Sequence, residues 1–154
     1  MIEQSDTRIR VEQTVDVPAG ALFAVLADPR RHVQVDGSGM LQADVRTSPI
    51  TGVGQVFTMA MHYPALGDYR TDNHVLEFDA GRRIVWTTAR EGQPPAGVRW
   101  SWELEPQGEA RTTVVHTYDW SRVVDPAVLA RVTFPRVSAD ALTASVARLA
   151  AAAG

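Results

Sequence analysis

Residues 8–17, RIRVEQTVDV, alternate between two faces: Ile9, Val11, Val15 and Val17 on one, Arg8, Arg10, Glu12 and Asp16 on the other. A period of two with one apolar face predicts a half-buried strand. Pro18 follows, where a proline suits the first turn of a helix. Leu22, Phe23, Val25 and Leu26 then take up helical spacing. Asp28-Pro29 ends that helix, because proline disfavours helical geometry in the residue before it. A second short helix is expected over residues 29–35, closed by Gly37-Ser38-Gly39. Six strand patterns come next: 40–47, 55–63, 69–78, 83–90, 98–105 and 111–120. Residues 51–54, 79–81, 93–97 and 106–108 supply turn chemistry between them. Connections this short favour antiparallel hairpins over parallel crossovers. Asp125-Pro126 starts a short helix through Arg131. The chain closes with a longer helix: Ser138 as cap, Asp140 in the first turn, and a stripe of Leu142, Val146, Leu149 and Ala153.

The strand phases sort the residues further. Val98, Trp100, Trp102 and Leu104 face one way and Arg99, Ser101, Glu103 and Glu105 the other. Ile84, Trp86 and Thr88 share a face, as do Val114, His116, Tyr118 and Trp120. Stacked side by side, these faces build an aromatic wall. On 55–63, Phe57, Met59, Met61 and Tyr63 form the apolar phase, and His62 is expected outward. On 69–78, Tyr69, Thr71, Asn73 and Val75 alternate with Arg70, Asp72, His74, Leu76 and Phe78. The charged phase is expected outward, with a slip or bulge near Val75, since buried charge needs partners.

His116 is the ionisable group of most interest, on the apolar phase between Val114 and Tyr118. A neutral imidazole there can orient a ligand carbonyl or hydroxyl, serve in acid–base chemistry, or be a hydrogen-bonded core residue. Tyr118 offers a second polar tip. His32 and Asp36 are read as a solvated pair or a capping contact. A zinc site from His62, His74 and His116 would need three strands to converge without any short ligand spacing, so no metal site is expected. No nucleophile elbow, hydrolase carboxylate pair or dinucleotide fingerprint is present, and no cofactor is expected.

Composition narrows the classes. The 154 residues suit one domain over 1–154, and 45% hydrophobic with 21% charged residues is the make-up of a globular chain. There is no cysteine, which excludes disulfides and thiolate chemistry. All 15 basic residues are arginine, which excludes a Schiff-base or P-loop lysine. A net charge of −3 gives no footprint for nucleic acid. No apolar run is long enough to span a membrane, and the polar start MIEQSDTRIR lacks a signal-peptide core, so a cytoplasmic protein without membrane insertion is expected. Monomer and homodimer both stay open.

The order strand, two short helices, six strands, long helix resembles the SRPBCC superfamily. That group includes START-type lipid-transfer domains, pollen-allergen-like proteins and bacterial polyketide cyclase/dehydrase-like proteins. The matching segments are VPAGALFAVLADP at 17–29, Asp36-Gly37, DAGRRIVW at 79–86, WSWEL at 100–104 and TYDW at 117–120. The resemblance implies an α+β helix-grip fold, a curved seven-stranded antiparallel sheet wrapped around the C-terminal helix. It also implies a cavity between them for a small hydrophobic or polycyclic molecule. Carried onto the phases above, the liners are Phe57, Met59, Met61, Trp86, Trp100, Trp102, His116 and Tyr118 from the sheet, and Leu142 and Val146 from the helix. The expected function is binding, as carrier or sensor. The alternative is a cyclase/dehydratase-type enzyme in which His116 and Tyr118 move protons. A regulatory protein read through its surface is a third reading that no residue specifically supports.

Overall fold

The computed structural model describes residues 1–154. Eight strands form one antiparallel sheet: β1 (Ile2–Gln4), β2 (Arg8–Val15), β3 (Leu41–Arg46), β4 (Val56–Tyr63), β5 (Gly67–Asp79), β6 (Arg83–Arg90), β7 (Arg99–Pro106) and β8 (Thr112–Asp119). Their order across the sheet is β1-β2-β8-β7-β6-β5-β4-β3. Helix α1 (Ala19–Leu26), a 3₁₀ turn (Pro29–Arg31) and α2 (His32–Val35) link β2 to β3; α3 (Pro126–Arg131) and α4 (Ala139–Ala153) end the chain.

The sheet therefore has eight strands where the sequence pattern gives seven. The addition is β1, three exposed residues with no apolar alternation, held to the edge by backbone pairing with β2. The expected slip in β5 is a register shift between Val75 and Glu77. It keeps Thr71, Asn73 and Val75 buried inward while Asp72 stays on the outer face, accepting from Thr58 Oγ1 at 2.7 Å. On β7, Trp102 and Leu104 are buried, and Trp100 is half-buried because it faces an open space. Arg99 and Glu103 are only half-exposed, on a convex face that also buries Val85 and Val115. There Arg83 links Glu77 and Glu103.

Ser138 caps α4, its Oγ accepting from Ala141 N at 3.1 Å. The helix buries Leu142, Ser145, Val146 and Leu149. It packs on α1, α2, β2 and β8, and α1 reaches across to β7. Strands about 4.8 Å apart make an eight-stranded sheet far wider than one helix of about 10 Å. The β4–β6 half of the concave face therefore lacks a long helix over it. Gly37 pins α2 to α4 at the border: its N–H donates to Ser145 Oγ at 2.9 Å, and a Cβ there would stand 2.4 Å from the Ala141 carbonyl oxygen.

Candidate functional site

Under that uncovered half lies a cavity of about 950 Å³, open to solvent at one end. Its wall comes from β4–β8, the segment from the end of α1 through α2 to the start of β3, the β6–β7 loop, the segment around α3 and the first turns of α4. Phe57, Met59, Met61, Trp86, Trp100, Trp102, His116, Tyr118 and Leu142 all line it. Val146 does not: it is fully sealed one turn beyond the cavity, where α4 packs on the sheet and α1. A helical stripe reports burial but cannot say whether the neighbour is protein or open space. That expectation is corrected.

The wall has two aromatic stacks. Trp100 lies on Tyr118 at 4.2 Å between ring centres and 3° from parallel, and Trp102 lies on His116 at 3.6 Å. The cross-strand pairs Trp100–Tyr118 and Trp102–His116 set this register. In the second stack the His32 ring lies 5.3 Å from Trp86, with Phe57 edge-on to both. His32 is thus buried in the wall and not the solvated partner of Asp36 that its spacing suggests. Its Nε2 donates to the Leu26 carbonyl at 2.8 Å. Asp36 caps its own loop instead, accepting from Ser38 N and Oγ and from Leu41 N.

Both wall histidines have a defined tautomer. His116 Nδ1 lies 3.0 Å from the Ser101 carbonyl, which can only accept, so Nδ1 carries the proton and Nε2 a lone pair. By the same logic His32 keeps its lone pair on Nδ1. The one sealed side-chain polar atom without a partner in the chain is His74 Nε2, on the outer phase of β5. His116 Nε2, which has no protein partner, is therefore open to the cavity. Burial depresses the His116 pKa to about 4 against the pull of the Ser101 bond, and burial likewise lowers that of His32. Burial raises Tyr118 to about 12, and its hydroxyl oxygen accepts from Arg136 N at 3.4 Å. At neutral pH the site offers neutral imidazoles as acceptors and a phenol as donor.

Several polar liners stand outside the site residues that the sequence pattern names; Asn73, Thr71 and Thr88 form one cluster of them. Asn73 donates to Phe57 O and accepts from Thr88 Oγ1 at 2.9 Å, with Thr71 beside it. Thr71 and Asn73 are a polar run on the inward phase of β5, and Thr88 sits opposite Asn73 on β6. His62 faces out and meets Asp68 at 2.8 Å. No three metal-ligating side chains converge anywhere in the chain.

A family model described as "Polyketide cyclase / dehydrase and lipid transport" matches residues 6–154. The chain belongs to that family. Among curated proteins, the uncharacterised protein Rv0088 of Mycobacterium tuberculosis is 34% identical over 113 residues, 72% of this chain and 47% of that protein. The chain thus spans about half the length of its curated relatives. Among solved structures, a protein of Arthrobacter aurescens superposes with a TM-score of 0.68 at 13% identity, over 99% of this chain and 90% of that one. Norcoclaurine synthase from Thalictrum flavum, solved with dopamine and hydroxybenzaldehyde, gives 0.62 at 16% identity over 94% and 84%. These likenesses establish the helix-grip fold of the polyketide cyclase type. No helix of the chain is long and apolar enough to cross a membrane.

Proposed function

We propose that the protein is a carrier or sensor that holds an apolar or polycyclic small molecule in the cavity, without turning it over. The observation that carries this reading is the open, aromatic-walled space of about 950 Å³, at the upper end of the range for small-molecule sites. The family description, which includes lipid transport, supports it. The polar groups suit orientation: His116 Nε2 accepts from a ligand hydroxyl, and Tyr118 donates to a carbonyl. As proton-transfer groups they are poorly matched to neutral pH, one titrating near 4 and the other near 12. General acid–base catalysis is most effective when the pKa lies near the working pH.

A cyclase/dehydratase is the second reading. The family description and the placing of His116 and Tyr118 two residues apart on one wall favour it. Native mass spectrometry of the purified chain, followed by extraction of what co-purifies, tests the first reading. A bound molecule recovered unchanged after prolonged incubation with the protein supports a carrier. Its conversion to an isomer or a dehydrated product, abolished in His116→Ala, establishes the enzyme instead. A chain that arrives empty and binds no member of a panel of fatty acids, sterols, flavonoids and aromatic polyketides ends both readings.

A further inference from the structure

The open end of the cavity differs from its wall. Three arginines line it, Arg90, Arg131 and Arg136, and none has a carboxylate within 4 Å. The acids nearby are engaged elsewhere. Glu91 meets Arg46 and Arg70 on the outer side, and Asp68 meets His62. The two acids that line the cavity satisfy backbone groups, Asp125 the Ala127 N–H and Asp36 its own loop. In a chain of net charge −3, an unneutralised cationic cluster opposes the overall balance.

Two of these cations are held by ring faces. The Arg136 guanidinium lies 5.2 Å from the Tyr63 ring centre and that of Arg90 lies 5.6 Å from Tyr69. Stacking on an aromatic face positions a guanidinium without neutralising it, and leaves its in-plane N–H donors free. Both cations act on Tyr69, which also lines the cavity, so they stand around one phenol. Fork-shaped donors in this setting match the paired oxygens of a carboxylate or phosphate.

We infer that the ligand of this cavity is amphipathic, an apolar body along the aromatic wall and a terminal carboxylate or phosphate held at the mouth by Arg90 and Arg136. This rests on the binding proposal above and names the ligand class.

The test is titration of the full chain with matched pairs that share a body: dodecanoate against dodecanol, and pyrenebutanoate against pyrenebutanol. Calorimetry and tryptophan emission report binding. Each acid should bind about tenfold tighter than its alcohol, the scale of a charge-assisted hydrogen bond. That advantage should shrink as salt rises. In the double variant Arg90→Gln/Arg136→Gln the gap between acid and alcohol should close, through a loss on the acid side. Arg70→Gln, on the outer side beside Glu91, should retain it. Dodecyl phosphate set against dodecanoate then tells which anion the mouth prefers; a preference for either supports the inference. If the double variant is unstable, the two single variants carry the same comparison, each with a partial loss. Equal affinity for acid and alcohol in the wild type overturns the inference and leaves the cavity proposal standing, as does an advantage that survives the variants. Failure of every member of both pairs to bind overturns the inference; only failure of the wider panel as well, in a chain that arrives empty, overturns the cavity proposal.

Discussion

His116 is kept neutral by its surroundings, and that has a consequence for stability. Its imidazole lies against Trp102, donates Nδ1–H to Ser101, and resists protonation until pH falls to about 4. An unfolded chain protonates the same group near 6.5. Between those values the unfolded state binds more protons, so stability falls as pH falls and is fully present above about 6.5. A gap of about 2.5 units corresponds to roughly 3 kcal/mol. His32, lowered by burial, acts in the same direction. Asp28 and Asp72, held below the usual carboxylate range by hydrogen bonds, act lower on the pH scale. Urea unfolding at a series of pH values should show the midpoint dropping from pH 7 to 4.5, with a flatter profile in His116→Phe. A wild-type midpoint that does not move would refute the buried neutral state. The inward placing of His116 is legible in sequence because it sits between Val114 and Tyr118 in a regular alternation. His32 was not legible: its burial depends on Trp86 and Phe57, brought in from distant strands, and no local spacing records that.

Two tests apply at the level of elements, both at α4. Leu149 is sealed in the core and Leu142 borders the cavity. Leu149→Ala should cost about 2–5 kcal/mol, the usual range for a buried leucine. Leu142→Ala should fall in the same range, because its side chain is as fully buried although it borders the cavity. Chemical denaturation of the two variants measures both; a loss below about 0.5 kcal/mol at either, the scale of an ordinary surface site, would show that α4 does not close the core there. Gly37→Ala addresses the junction of α2 with α4. The new methyl would collide with the Ala141 carbonyl, and overpacking of that kind costs about 1–3 kcal/mol. A neutral result would mean that the junction is loose. Strands with one wet face were legible because alternation is a local property, and a polar break in it announced the bulge near Val75. β1 was not legible, since three exposed residues carry no pattern and only backbone pairing to β2 defines them. Val146 marks the same limit, a buried residue whose neighbours the helix period cannot name.

For the molecule as a whole, the decisive feature is a space, and a space leaves no residue pattern of its own. It arises because a sheet of eight strands is gripped by a helix that packs over β2 and β8 and leaves β4–β6 open beneath. The aromatic phases named part of its wall in advance, but a packed core would have given the same phases. The mouth arginines stood outside every apolar pattern and went unread. An occupied cavity should make the fold more stable, because the unfolded chain has no such site. The gain follows RT ln(1 + [L]/Kd), about 2.7 kcal/mol at a hundredfold excess of ligand over Kd. A ligand from the fatty-acid, sterol, flavonoid or polyketide panel should therefore raise the melting temperature in a concentration-dependent way. It should also alter tryptophan emission, since Trp86, Trp100 and Trp102 line the cavity. His116→Ala separates orientation from simple burial. It should weaken ligands that carry a hydroxyl more than matched hydrocarbons, because only the former lose the acceptor at Nε2. Equal weakening of both would leave the cavity as the binding site and withdraw the orienting role from His116. A thermal shift without any change in emission would place the ligand away from the tryptophan wall, and with it the function proposed for this face of the sheet.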